Sequence, residues 1–260
     1  MGASASSRLP RITAVKEPFL NVAAYRFVPL HDLPALRAQL MQSAEAAALK
    51  GTVLLAEEGI NFNLAGEPAA LRAWLNALMA DGRFKQLPLK FSDSETTPFK
   101  RLKVRIKREI IRMNQPTVRP AQTRAEAVSA TTLARWLQAG RCDAGRELVL
   151  LDTRNSFEVD TGAFEAALDW RLKSFSDFPA ALSANADTLS GKTVVSYCTG
   201  GIRCEKAALW MAQAGVEHPL QLDGGILGYF EQVPGARGWR GRCFVFDERE
   251  GLDHALQAAA

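Results

Sequence analysis

Hydrophobic positions in the first half of the chain switch between the two-residue period of a strand and the 3.6-residue period of a helix. Residues 20–28 read as a strand. Residues 32–50 read as a helix with Leu33, Leu36, Leu40 and Met41 on one face, expected to stop at Gly51. Two short apolar runs, 52–56 and 60–65, flank Glu57-Glu58-Gly59, and residues 68–79 form a second helix through Leu71, Trp74, Leu75 and Leu78 before a strand at 87–92. This β-α-β-β-α-β order predicts a ferredoxin-like α+β domain, with two helices on one face of an antiparallel sheet and the other face open for binding. Residues 100–112, KRLKVRIKREIIR, then alternate with period two: Arg101, Lys103, Arg105 and Lys107 share one face, Leu102, Val104 and Ile106 the other.

The second half alternates strands and helices. A helix is expected at 131–139, a strand at 148–151 running into Asp152-Thr153-Arg154, a helix at 179–186 and a buried strand at 193–197. A helix follows at 203–214, closed by Gly215, then a strand at 220–222 and a helix at 226–232 opened by Gly224-Gly225. Such alternation predicts a parallel sheet covered by helices on both faces, with ligands bound beyond the C-terminal strand ends. The domain map is then a disordered leader at 1–18, a first domain at 19–112, a Pro-bearing linker at 113–130, a second domain at 131–235 and a C-terminal extension at 236–260.

Charge changes the picture of the first domain. The whole chain of 260 residues carries only +4, but residues 1–120 hold 18 Lys and Arg against 10 Asp and Glu, a net of +8, and the remainder is −4. The first half is therefore the candidate polyanion binder. Lysines on an exposed edge strand also serve to block aggregation, yet four cations side by side exceed that need, and a phosphate backbone would neutralise them. RNA contact is expected at Lys100, Arg101, Lys103, Arg105 and Lys107. No apolar run is long enough to span a membrane. Four cysteines without disulfide or metal spacing imply a reducing cytoplasm.

The chemistry converges on TVVSYCTGGIRCEKAALWMAQAG, residues 193–215. Cys198 stands at the end of a strand and faces the start of a helix, where unpaired amides and the helix dipole favour an anion. Arg203 adds a cation, a setting that lowers a thiol pKa. The amides of Thr199, Gly200, Gly201, Ile202 and Arg203 can curl around a group on the sulfur. A lone cysteine is more often a small core residue; the glycines and arginine reverse that preference. Asp152 and Arg154 belong beside this loop, more to orient it than to react. Cys204 is either a resolving thiol or a core residue, and Cys142 and Cys243 are structural. Glu57 and Glu58 sit in an acidic turn and are assigned no catalytic role. Tyr25, Phe62 and Tyr229 are aromatic candidates for stacking a base.

The C-x4-R loop resembles the active-site loop of rhodanese-type sulfurtransferases, whose cysteine carries a persulfide. The longer strings CTGGIRCEKA and QLDGGILGYFE, with GTVLLAEEGIN (51–61), PFKRLKVRIKREI (98–110), LLDTRNSFEV (150–159) and CFVFDER (243–249), resemble a narrower group in the same order: the oxygen-dependent tRNA uridine hydroxylases with a rhodanese domain. The resemblance implies a rhodanese-like second domain, a tRNA partner, molecular oxygen as co-substrate and 5-hydroxylation of the wobble uridine. Trp170-Arg171 departs from the family segment. The scattered His31, His218 and His254 and the lack of G-x-G-x-x-G leave no metal or flavin motif in view. Some relatives carry a cysteine-bearing C-terminal extension, and this chain is expected to work without it. Two other readings stay open: a sulfurtransferase passing a Cys198 persulfide to tRNA or protein, and a non-catalytic RNA-binding protein with a rhodanese-like module. The mechanism expected for the hydroxylase is addition of the Cys198 thiolate to C6 of uracil, making C5 electron-rich enough to be oxidised, with Arg203 and the loop amides stabilising negative charge.

Overall fold

The structure is a computed structural model that describes residues 19–258; the expected leader at 1–18 lies outside the described residues. The first sheet orders its strands β4-β1-β3-β2-β5. It comprises β1 (Phe19–Phe27), β2 (Lys50–Ala56), β3 (Gly59–Gly66), β4 (Leu89–Ser94) and β5 (Leu102–Ile106), with α1 (Leu33–Ala46) and α2 (Pro68–Ala80) between them in the expected order. Both helices carry a proline in the first turn, Pro34 in α1 and Pro68 in α2, where its fixed φ suits the helix, and α2 is capped by the Glu67 carboxylate accepting from the amides of Ala69 and Ala70. One face of this sheet packs Leu20, Val22, Ile60, Phe62 and Leu64 against Leu36, Leu40, Leu71 and Trp74 of the helices.

Two expectations are corrected here. Helix α1 ends at Ala46, and Lys50 and Gly51 belong to strand β2. Gly51 is a strand residue at φ 130°, where a Cβ would lie 2.1 Å from the Asn63 carbonyl. Close crossing of β3, paired from Lys50↔Ala65 to Ala56↔Gly59, outweighs the helical propensity of the alanines. The basic strand is also shorter than its alternation suggests. Only Leu102–Ile106 pairs, in parallel with β2 at the sheet edge, and Ile106 is 40% exposed, so the apolar face rests mainly on Val104. Beyond it the chain leaves the sheet, burying Ile110 and Met113.

The second sheet is parallel throughout, in the order β6-β11-β10-β7-β9. Its strands are β6 (Ala127–Val128), β7 (Leu148–Asp152), β9 (Leu168–Asp169), β10 (Thr193–Tyr197) and β11 (His218–Leu222); β8 (Gly162–Phe164) pairs instead with β12 (Trp239–Gly241). Helices α3 (Ala130–Ala139) and α7 (Gly225–Gln232) cover one face, α5 (Phe178–Asn185) and α6 (Ile202–Gln213) the other, and the short α4 (Ser156–Thr161) follows β7. The central strand β10 is buried along its whole length, Val194 packing into one layer and Val195 into the other.

The segments outside the two sheets are packed. Val118 is buried in the second domain, and Thr117 donates to Gln213 at 3.1 Å. After β12 the chain buries Cys243, Val245 and Leu252 in the second domain, while Arg249 donates to Ser92 Oγ of the first at 2.7 Å. Among the described residues no helix is long and apolar enough to cross a membrane.

Candidate active site

The uncovered face of the first sheet does not look into solvent. Ala23, Tyr25 and Phe27 of β1, Asn61 and Asn63 of β3, and Lys90 and Ser92 of β4 form one wall of a cleft of about 960 Å³. Its opposite wall is the loop Cys198, Thr199, Gly200, Ile202 and Arg203, with Glu205, Gly224 and Leu227. The C-terminal segment closes one side through Val245, Phe246 and Arg249.

Cys198 has no exposed surface and lies at the cleft floor. Gly201, at φ 100°, caps α6 and donates its amide to the Cys198 sulfur at 3.2 Å. The loop carbonyls are held in turn by α7: Ile226 donates to Cys198 O at 2.9 Å and Leu227 to Thr199 O at 3.0 Å. Burial pushes the thiol up. The Cys204 thiol donating to it, the Arg203 charge and the amides of Arg203 and Gly201 outweigh burial and lower its pKa to about 6. Cys204, behind the loop against Thr153 Oγ1 at 3.7 Å, moves the other way, raised by burial and by the Cys198 thiolate.

Arg203 is clamped in two parallel bonds to Glu158, Nη1 to Oε2 at 2.6 Å and Nη2 to Oε1 at 2.7 Å. Its Nε has no partner within the protein. Glu158 is buried on α4 and also accepts from the Asn155 amide at 3.0 Å. Asp152 and Arg154 form a wholly buried pair at 2.6 Å. Arg154 also donates to Glu158 O and Gly162 O, at 3.2 and 2.7 Å. This pair supports the clamp from behind and lines no part of the cleft.

Polar ties crossing between domains had no local signal in the sequence. Tyr25 Oη donates to Glu205 Oε1 at 2.9 Å, over the Cys198 loop. Lys206 reaches out of α6 into the first domain, where Nζ donates to Glu58 at 2.9 Å, Glu109 at 2.7 Å and the Ile111 carbonyl at 3.0 Å. Lys90 pairs with Glu231 of α7. Glu58, left without a role by its neighbours in sequence, thus belongs to a domain clamp. Of the other aromatic candidates, Phe62 and Tyr229 are buried in the two cores and cannot stack a base; Tyr25 lines the cleft.

The basic residues divide. Lys100, Arg101 and Lys103 line a shallow groove with Phe244 and Phe246, which joins the cleft through Phe99, Val245 and Phe246. Arg105 and Lys107 lie farther along the edge, exposed, and line neither. The ring of Phe246 is 59% exposed and packs edge-on against Phe157 and Phe244. Among the described residues no three His, Cys, Asp or Glu side chains are grouped to hold a metal ion.

Residues 19–110 match the UPF0176 acylphosphatase like domain, and residues 129–232 match the rhodanese-like domain. A protein of Bordetella petrii called tRNA uridine(34) hydroxylase is 61% identical over 92% of this chain and 95% of its own length. Proteins given the same name in Delftia acidovorans and Cupriavidus necator are 56% and 52% identical, over 93% and 92% of this chain and 92% and 85% of theirs. With both domains matched in order and this identity sustained along nearly its whole length, the chain belongs to the tRNA uridine(34) hydroxylase family.

Proposed function

We propose that this protein hydroxylates C5 of the wobble uridine of tRNA, with Cys198 as the nucleophile and molecular oxygen as co-substrate. The observation that carries this reading is a buried thiol with a pKa lowered to about 6, at the floor of a cleft large enough for a nucleotide. At neutral pH the thiolate adds to C6 of uracil, and the electron pair of the C5–C6 double bond moves onto C5 and the C4 carbonyl. Arg203, held rigid by Glu158, and the loop amides favour the anionic sulfur over the thiol. The enriched C5 receives one oxygen atom of dioxygen. The O–O bond breaks as an external two-electron donor supplies two electrons and the second oxygen takes up two protons to leave as water; H5 leaves as a proton, and the sulfur is expelled from C6 as the thiolate.

Lys100, Arg101 and Lys103 contact phosphates flanking the target, beside the exposed rings of Phe246 and Phe157. Asp152 and Arg154 position the Glu158 clamp and touch no substrate. Cys204 holds the thiolate by a hydrogen bond. A tRNA substrate and four cysteines free of disulfides support a cytoplasmic setting.

The test is nucleoside mass spectrometry on tRNA from cells lacking the protein, complemented with wild type or Cys198→Ser. Return of 5-hydroxyuridine with wild type alone supports the reading. A thiolated nucleoside changing while 5-hydroxyuridine does not would replace it with sulfur transfer.

A further inference from the structure

Three carboxylates line the cleft and none is used by the chemistry above: Asp247 is paired with Arg249 and Asp223 with Arg124, which leaves Glu205. Glu205 sits in the first turn of α6, on the same helix start that holds Cys198, and its side chain lines the cleft. It makes no ion pair with the Arg203 guanidinium, which Glu158 occupies on both terminal nitrogens. Its partner is instead a hydroxyl from the other domain: Tyr25 Oη donates to Oε1 at 2.9 Å. Tyr25 is in turn pressed onto the loop, since a Cβ on Gly201 would lie 2.9 Å from its oxygen. Burial raises the Glu205 carboxyl above its ordinary value, with Tyr25 and Arg124 opposing and Asp223 and Cys198 adding to the rise, so the group is a better proton acceptor than an exposed carboxylate.

We propose that Glu205 is the base that removes H5 from the Cys198–uridine adduct once C5 carries oxygen, and that Tyr25 is its positioning residue. The proposal rests on the hydroxylase reading. In this step the Glu205 carboxylate takes H5 as a proton. The C5–H electron pair forms the C5–C6 double bond, the C6–S bond breaks, and its pair returns to the Cys198 thiolate. No electrons are gained or lost, and Glu205 passes its proton to water after release. Both groups line one cleft because one helix N-terminus presents them: Cys198 through the Gly201 cap, and Glu205 from the first turn.

The experiment uses the full chain in cells lacking it, where oxygen and reductant are supplied. Each variant is recovered under denaturing conditions, and the Cys198 peptide is weighed beside the tRNA nucleosides. Glu205→Gln is expected to lower 5-hydroxyuridine about 100-fold, the scale of a lost acid-base group. At the same time a peptide bearing the mass of 5-hydroxyuridine on Cys198 accumulates, and Glu205→Asp recovers part of the product. Wild-type levels of 5-hydroxyuridine in Glu205→Gln, or loss of product with no adduct on Cys198, would overturn the proposal. Tyr25→Phe keeps the carboxylate and removes only its donor, so it decides the matter if Glu205→Gln does not accumulate as folded protein. It is expected to lower product several-fold with visible adduct, and wild-type behaviour on both counts overturns the assignment. Failure of the wild-type protein itself to restore 5-hydroxyuridine strikes the hydroxylase reading, not this step alone.

Discussion

Lys206 joins the helix that follows the Cys198 loop to the other domain, and its removal should be felt as stability. The ammonium has 2% of its side chain exposed and donates to Glu58, Glu109 and the Ile111 carbonyl, with the Phe27 ring 5.7 Å away. Lys206→Met preserves the stem and deletes the charge, leaving two carboxylates facing each other. Breaking a buried pair by removing one partner costs about 3–5 kcal/mol. The lower end applies here, because the two carboxylates keep 21% and 19% exposure and their backbone donors at Ile110, Met113 and Asn114. At roughly 2–4 °C per kcal/mol for a chain of this size, a loss of about 3 kcal/mol lowers Tm by about 6–12 °C.

The pH dependence has a definite sign. Burial raises the Glu109 carboxyl, but Lys206 and the amides of Met113 and Asn114 outweigh it and hold the group below its ordinary 4.5. A depressed folded pKa gives stability that is complete above the unfolded value and lost as pH falls through the folded one. Thermal melts of wild type and Lys206→Met should therefore differ fully at pH 7 and draw together as pH falls below 4.5 through the depressed folded value. Adding Glu58→Gln and Glu109→Gln to Lys206→Met should restore most of the loss. A single variant within 1 kcal/mol of wild type at pH 7, or a triple variant no better than the single, would refute the clamp.

Three further outcomes are expected. The thiolate absorbance difference between wild type and Cys198→Ser should titrate with a midpoint near 6, and a midpoint at the ordinary 8.5 would remove the case for a preformed nucleophile. Changing Lys100, Arg101 and Lys103 to Glu should weaken tRNA binding and flatten log K against log salt by roughly 0.9 per lost phosphate contact, measured between 50 and 200 mM; an unchanged slope would take these residues out of the interface. Gly225→Ala should cut 5-hydroxyuridine more than about 10-fold while leaving the thiol itself in place, because its Cβ would press on the Cys198 loop, 2.5 Å from Cys198 O and 2.7 Å from Gly201 N at φ 61°; full activity would show that the loop tolerates displacement.

Both domain folds and the place of Cys198 were legible in the sequence because each rests on short-range order. The alternation in β1, the helical spacing in α2 and α6, and glycines where the loop must turn all act within a few residues of one another. The end of α1 was misread for the opposite reason: helix-favouring alanines run up to Lys50, and only the distant β3 makes Gly51 a strand residue. The basic run read as one long strand because charge alternation continues past Ile106, where pairing with β2 has already ended.

The chain by itself determined two α/β units, a basic strand in the first and a cysteine at a strand-to-helix turn in the second. Tertiary structure alone decided that the open sheet face becomes a wall of the Cys198 cleft, and which polar groups meet there. Tyr25 and Glu205 are 180 residues apart, and Glu58 and Lys206 are 148 apart. No local propensity can signal such pairs. Each becomes favourable only once burial has removed water from both partners, and that depends on how the two folded surfaces fit.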